Sequence, residues 1–551
     1  MRWATMVVVG ALVSAPIAVS WAAPGDVDAS FAAPCRFPAG IATDGTNLFV
    51  ADWREGRVFE VSPADGAVVR DLAGPTLHPH GLAYGNGRLF VADDHTGRIQ
   101  VLNVDTGIVE NGFDAPGPNA KGLAFADGKL FILESSSRHI YSVLPEDGTI
   151  LKYFDVPDRS CTCMTYDGRY LWVANRVDDE LYMVDPENGM VIGVLDAPGP
   201  YAAGLAWLDG HLWNADFQND RLYRLVVHDE QMYRLSEPRE AQVEYLWTLA
   251  NYGPGTVRNL TVNLAHPDEL VNQKLLSEVS YSPVPAEMVS DKWGQKCARI
   301  EIAELPAGKT TSVTAKVDVK VSAIRYLIIP EKTGTLEGIP IEIREAYTVD
   351  GSRYRIDSPY IQKKVKEIVG DEKNPYWIAR KIYNYLIETL EYEMVGGWDV
   401  PEVVLQRGTG SCSEYTFSFI ALCRAAGLPA RYQGSIVVRG DDASIDEAFH
   451  RWAQVYLPNY GWVPVDANRG DSASPVQQCK GFGELANRFL ITTQSGGDSE
   501  YLCWGYNAHA TYQTTGFCNI DESNFGFWEP LGSESTSDSN SPAAANGQCG
   551  R

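Results

Sequence analysis

Short apolar runs, each entered through a turn, recur along residues 28–236. Gly40-Ile41-Ala42, Gly81-Leu82-Ala83, Gly122-Leu123-Ala124, Cys163-Met164-Thr165 and Gly204-Leu205-Ala206 open similar segments at a constant spacing of 41 residues. Inside each unit a turn such as Asp44-Gly45 or Asp127-Gly128 leads into a run such as Leu48-Phe49-Val50-Ala51, Leu89-Phe90-Val91-Ala92 or Leu171-Trp172-Val173-Ala174. A second short strand follows, as at Arg57–Val61, and a Gly-containing turn and an outer strand complete the unit. A period near 40 residues with about four strands per unit predicts a β-propeller of about five blades. Phe31-Ala32-Ala33-Pro34 resembles the blade ending Leu195-Asp196-Ala197-Pro198. The N-terminal segment is therefore expected to supply the outer strand of the last blade and close the ring, which removes open sheet edges. The Asp and Asn residues of the repeats are assigned to turn chemistry rather than to ligands.

These repeats resemble propellers of the NHL and YVTN type. Beyond them, over 237–348, the pattern changes to simple alternation: Val243, Tyr245, Trp247 and Leu249, then Val313, Ala315, Val317, Val319 and Val321, with polar residues between. This period of two predicts half-buried strands, with Asn251-Tyr252-Gly253-Pro254-Gly255 as a turn, and an immunoglobulin-like β-sandwich is the expected fold. The region shows no candidate chemistry and is expected to connect its neighbours. Over 349–531 a helical period sets in. Asn374-Pro375 starts a helix whose stripe is Ile378, Ile382, Leu386 and Leu390, a loop with Gly396, Gly397 and Pro401 follows, and a second helix, a hairpin and further strands come after it. An α+β domain is expected there, and the Ser- and Asn-rich residues 532–551 are expected to be a disordered tail.

Apolar residues at 45% and charged residues at 21% describe ordinary globular protein. The net charge of −25 argues against nucleic acid or an anionic membrane as a partner. Met1-Arg2, the apolar run Ala4–Val19 and Ser20-Trp21-Ala22-Ala23 match a secretory signal peptide over 1–23, cut after Ala22 or Ala23. The run is short for a bilayer span and holds Pro16, so the expectation is an exported, periplasmic or extracellular protein without a membrane span. Export permits disulfides among the ten cysteines, whose connectivity the spacing does not reveal. Cys161-x-Cys163 lacks a second ligand pair, and no acidic run has EF-hand spacing. Neither a metal nor a cofactor is expected.

Cys412 lies in Gly408-Thr409-Gly410-Ser411-Cys412-Ser413-Glu414, directly before a stretch apolar at helical spacing that ends at Gly427-Leu428-Pro429. A cysteine at a helix N-terminus meets free N–H groups and the positive end of the dipole, which lower its pKa. Residues 450–457 and 461–466 read as two strands joined at Pro458-Asn459-Tyr460. Their apolar faces coincide in the register that sets Val455 opposite Val463 and Ala453 opposite Val465. Asp466 then falls opposite Trp452, one diagonal step from His450, about 7–8 Å along the sheet and within side-chain reach. Only an odd loop, such as three residues, gives this. Cys412, His450 and Asp466 thereby supply a nucleophile, a base and an orienting carboxylate.

Gly-x-Cys412-x-Glu414, Ala421–Arg431, His450-x-Trp452-x-Gln454-Val455-Tyr456 and Gly461–Asp466 together resemble the transglutaminase-like core, a papain-like fold, over about 370–530. The resemblance implies that Cys412, His450 and Asp466 form a catalytic triad. Cys412 attacks an amide carbonyl to form a thioester, His450 moves the proton, and Asp466 holds the imidazole. An oxyanion hole needs two donors. The Cys412 N–H is one, Gln406 or Trp398 the second, and Trp452 is expected to pack beside His450. Three functions remain open from the sequence: a peptidase or amidase acting on a protein or peptide, a glutamine acyltransferase that crosslinks, and a non-catalytic protein that binds a protein or glycan through the propeller.

Overall fold

The computed structural model describes residues 22–72, 74–228, 231–394 and 398–531. All but the last two residues of the expected signal peptide, the expected tail at 532–551 and the loop glycines Gly396 and Gly397 lie outside the described residues. The chain divides into two compact units: residues up to Gly189 with Leu195–Arg234, and Met190–Val194 with everything from Leu235 onward.

The first unit carries the propeller. Four-stranded antiparallel sheets span 38–72, 79–114, 120–155 and 161–196, and a fifth combines 202–225 with Val27–Ala32. That last strand pairs with Arg221–Leu225, Phe31 opposite Leu222, so the ring closes as expected through the N-terminal segment. The inner strands neighbour one another in order, the last returning to the first. This crowding explains the glycine that opens four of the five repeats, Cys163 standing at the fourth. A Cβ on Gly81 would stand 2.3 Å from the Lys121 carbonyl oxygen, and one on Gly40 2.2 Å from that of His80. The repeated acidic positions act as turn residues: Asp52 accepts N–H bonds from Arg54 and Glu55, and Asp93 from His95 and Thr96.

The second unit joins the sandwich region to the C-terminal third more closely than the boundaries at 348/349 and 531 imply. Tyr233–Ala265 is one continuous strand of 33 residues, and Ala508–Pro530 pairs antiparallel with its residues 241–264, Trp247 opposite Asn524. The expected turn at Asn251–Gly255 is instead a pair of register shifts inside that strand. Asn251 makes this possible: its side chain accepts from the Gly253 N–H and donates to the Gly255 and Leu305 carbonyls, satisfying backbone groups that a bulge leaves open. Val243, Trp247, Leu249, Val313, Val317 and Val319 form one core with Ile436, Val438, Phe449 and Leu490 from the C-terminal third. A shared core makes the two regions a single packing unit, so the strands at 237–348 support the sheet that carries the site.

Among the described residues no helix is long and apolar enough to cross a membrane. None of the nine described cysteines is disulfide-bonded.

Candidate active site

Two helices and a four-stranded sheet build the site. Helix α1 (Pro375–Thr389) starts where expected, the Asn374 side chain accepting from the Tyr376 and Trp377 N–H groups, and it buries Ile378, Ile382 and Leu386. Helix α2 (Cys412–Ala425) is pinned at its first turn by the buried Glu414. That carboxylate accepts the Ser411 N–H at 2.9 Å and the Asp399 N–H at 3.0 Å and pairs with Arg407 at 3.0 Å. Cys412 is thus the first residue of a fixed helix, with its own N–H outside the helical ladder.

Strands β1 (Ala430–Val437), β2 (His450–Leu457), β3 (Gly461–Val465) and β4 (Phe489–Ser495) form an antiparallel sheet ordered β3-β2-β1-β4, and α2 packs on β2. The hairpin has the expected register, Val455 opposite Val463 and Ala453 opposite Val465. Asn459 in its short loop takes φ +71°, within reach of an asparagine. Where β3 ends, Asp466 becomes the cap of a short helix, Ala467–Gly470. Its Oδ1 accepts the Arg469 N–H at 3.1 Å, and its Oδ2 lies 2.7 Å from His450 Nε2.

With Nε2 on the carboxylate, Nδ1 is the imidazole nitrogen left for Cys412. Burial works against a charge on the Cys412 sulfur. The hydrogen bond and charge of His450, with the N–H and guanidinium of Arg451, outweigh it and draw the thiol pKa below its usual value. Burial likewise opposes a charged His450, but the Asp466 carboxylate and the bond to Cys412 raise it to about 10. Asp466, despite its burial, is held below the usual carboxylate range by His450 and the Arg469 N–H. All three shifts favour a thiolate–imidazolium pair backed by a carboxylate. The other cysteines contrast with this. Burial pushes Cys35, Cys163 and Cys297 up to about 12, and Cys161, Cys423 and Cys479 also rise.

Cys412, His450 and Asp466 line one cavity of about 770 Å³. Trp398 lines it too. Gln406 does not: it sits exposed on the helix Pro401–Arg407, so of the two side chains expected to complete an oxyanion hole only Trp398 borders the cavity. Trp452 is fully buried, its ring centroid 5.7 Å from that of His450, and its indole N–H donates to Gln433 Oε1 at 2.9 Å. Phe489 stacks on the imidazole from β4, also at 5.7 Å.

Arg451 carries no role in the sequence reading. Its side chain is wholly buried, with the guanidinium carbon 4.8, 4.7, 4.6 and 4.3 Å from the ring centroids of Trp398, Phe417, Tyr432 and Tyr506. One nitrogen donates to the Trp504 carbonyl at 2.7 Å, and no carboxylate pairs with it among the described residues. An unpaired buried cation is costly, and four π-faces offset part of that cost. The charge stays beside the sulfur, where it favours the thiolate. Arg451→Met keeps the volume and lets the aromatic cage close on an apolar chain. The midpoint of thiol alkylation should then move to higher pH, with activity falling about 10-fold, one pK unit of thiolate stabilisation. An unmoved midpoint in a folded variant would make the residue purely structural.

Residues 362–467 match the family model of the transglutaminase-like superfamily, and residues 76–102 match that of the NHL repeat. An uncharacterized protein of Haemophilus influenzae is 30% identical over 168 residues, which cover 25% of this chain and 45% of that protein. The chain therefore spans less than half the length of that relative. A proposed cysteine protease from Cytophaga hutchinsonii is 18% identical over 53% of this chain and 92% of its own, with a TM-score of 0.37. Virginiamycin B lyase from Staphylococcus aureus is 17% identical over 35% of this chain and 68% of its own, with a TM-score of 0.26. The chain thus contains a transglutaminase-like superfamily domain at 362–467 and an NHL repeat at 76–102, within a propeller.

Proposed function

We propose that this protein is an exported cysteine hydrolase, a peptidase or amidase that works through a thioester on Cys412. The observation that carries the proposal is the 2.7 Å contact of His450 Nε2 with Asp466, in a cavity shared with a thiol whose pKa is drawn down. The Cys412 thiolate attacks the carbonyl carbon of an amide, and the oxyanion is met by the Cys412 N–H and the Trp398 indole N–H. His450 gives its proton to the leaving amine, then takes one from the water that cleaves the thioester. Asp466 holds the ring throughout and stabilises its positive charge whenever the imidazole carries both protons.

Hydrolysis is favoured over acyl transfer by the lining of the cavity. Arg439, Glu447, Arg469 and Arg488 open onto it, and charged walls keep water at the thioester. Transfer to an amine needs water excluded. The test is a set of glutamine-containing donor peptides incubated with a large excess of a primary amine and followed by mass spectrometry, with Cys412→Ala as the blank. The expected product is the free acid, dependent on Cys412. Predominant amine adducts would make the protein an acyltransferase. No product with any donor, from a protein whose Cys412 also resists alkylation, would favour the non-catalytic reading.

A further inference from the structure

The five blades share their backbone, so side chains that differ at equivalent positions around the axis are not required by the repeat. The position that caps the turn after each second strand is nearly constant: Asp52, Asp93, Glu134, Asn175 and Asp216. The next residue changes in every blade: Trp53, Asp94, Ser135, Arg176 and Phe217. The residue before the first position of each repeat also varies, as Ala39, His80, Lys121, Thr162 and Ala203.

Members of these two variable sets converge on one cavity of about 270 Å³ within the propeller. Its aromatic and charged walls touch: Arg176 donates to the Tyr201 hydroxyl at 2.8 Å, and the Trp53 indole N–H donates to Asp94 Oδ1 at 3.3 Å. Trp53 and Phe217 form an aromatic arc with Tyr201, whose ring lies 5.2 Å from that of Phe217, and Trp53 and Phe217 remain 40% and 37% exposed. Lys121 and Arg176 bring two positive charges and Asp94 one negative, a local excess of one cation on a chain whose net charge is −25. His80 Nδ1 donates to the Lys121 carbonyl at 3.0 Å, which leaves Nε2 as an acceptor. Burial, with the charges of Lys121 and Arg176, keeps this ring toward its neutral form.

We infer that this cavity binds an acidic monosaccharide unit, a pyranose bearing one carboxylate. A carboxylate cancels the excess charge against Lys121 and Arg176. Hydroxyl donors satisfy Asp94 and His80 Nε2, and the flat C–H face of the ring covers the aromatic arc. The volume lies just under the range typical of drug-sized ligands, which suits one ring rather than a chain. A zwitterionic aromatic amino acid satisfies the arc and Asp94 but leaves the excess cation unbalanced.

Calorimetric titration of the full-length protein with sodium D-glucuronate at low salt tests this, with D-glucose and L-phenylalanine for comparison. Glucuronate should bind, weaken as salt rises, and outbind glucose about 10-fold or more, as expected when a charge-assisted pair is lost. Arg176→Ala and Trp53→Ala should each weaken it by a similar factor. Both residues are exposed, so the fold should survive; melting curves check this, and Lys121→Met supplies a second change on the cationic side. Absence of glucuronate binding, affinity unchanged in the Arg176 and Trp53 variants, or preference for phenylalanine would overturn the inference.

Discussion

His450→Ala should abolish rapid alkylation of Cys412 near pH 6 and reduce turnover by about 10⁴-fold or more, the scale of losing a triad base. In the intact protein two influences of His450, its hydrogen bond and its charge, pull the thiol below its usual pKa against burial. Without the imidazole only Arg451 opposes burial, so the thiol pKa rises and its labelling midpoint moves up. An ordinary thiol titrates at about 8.5 and reacts little at pH 6. The intact protein also has a signature that a merely acidic thiol lacks. With His450 raised to about 10, turnover should fall above that pH as the proton needed by the leaving group is lost, while alkylation, which needs only the thiolate, stays fast. Peptide mapping after iodoacetamide treatment over a pH series, beside turnover on the same samples, reads both curves. Labelling that is slow and indifferent to His450 would remove the ion pair and turn attention to the propeller.

Much of this site was legible because the hairpin permits one register. Valines at 455, 463 and 465 can share a buried face only if the loop has an odd length, and that condition alone brings Asp466 within reach of His450. The five-bladed ring was legible for a similar reason, since a strict 41-residue period leaves little freedom in where each strand begins. What stayed hidden depends on contacts between distant segments. Arg451 alternates with Ala453 and Val455 on the apolar face of its strand, and nothing local says that Phe417, Tyr432 and Tyr506 converge to cage it. Gln406 sits near Cys412 in sequence, yet the helix Pro401–Arg407 turns it outward. The strand Ala508–Pro530 finds its partner more than 240 residues away, at Tyr233–Ala265, a pairing that no periodicity encodes. Asn251–Gly255 has the composition of a turn, but here the same hydrogen-bonding habits serve a bulge.

Asp466 offers the sharpest test of how the pair is maintained, because its two oxygens have separate duties: Oδ2 faces His450 Nε2 and Oδ1 accepts the Arg469 N–H. In a serine triad, changing the aspartate to asparagine costs about 10⁴-fold because the neutral histidine is trapped in the wrong tautomer. With His450 raised to about 10, its imidazolium donates from both nitrogens, and an amide can turn its oxygen to Nε2–H without a tautomer conflict. Asp466→Asn should therefore keep the ring in place while losing the charge and the acceptor for the Arg469 N–H, lowering activity by about 10- to 100-fold, one to two pK units of lost support. Its alkaline limb should move below pH 10, since the carboxylate charge is the largest influence raising His450. Asp466→Ala removes orientation as well as charge and should cost about 10³- to 10⁴-fold. Turnover and pH profiles of the two variants, with melting curves to show that the cap of Ala467–Gly470 survives, separate these contributions. Equal losses would mean that charge alone matters, and two active variants with unshifted profiles would remove Asp466 from the machinery altogether.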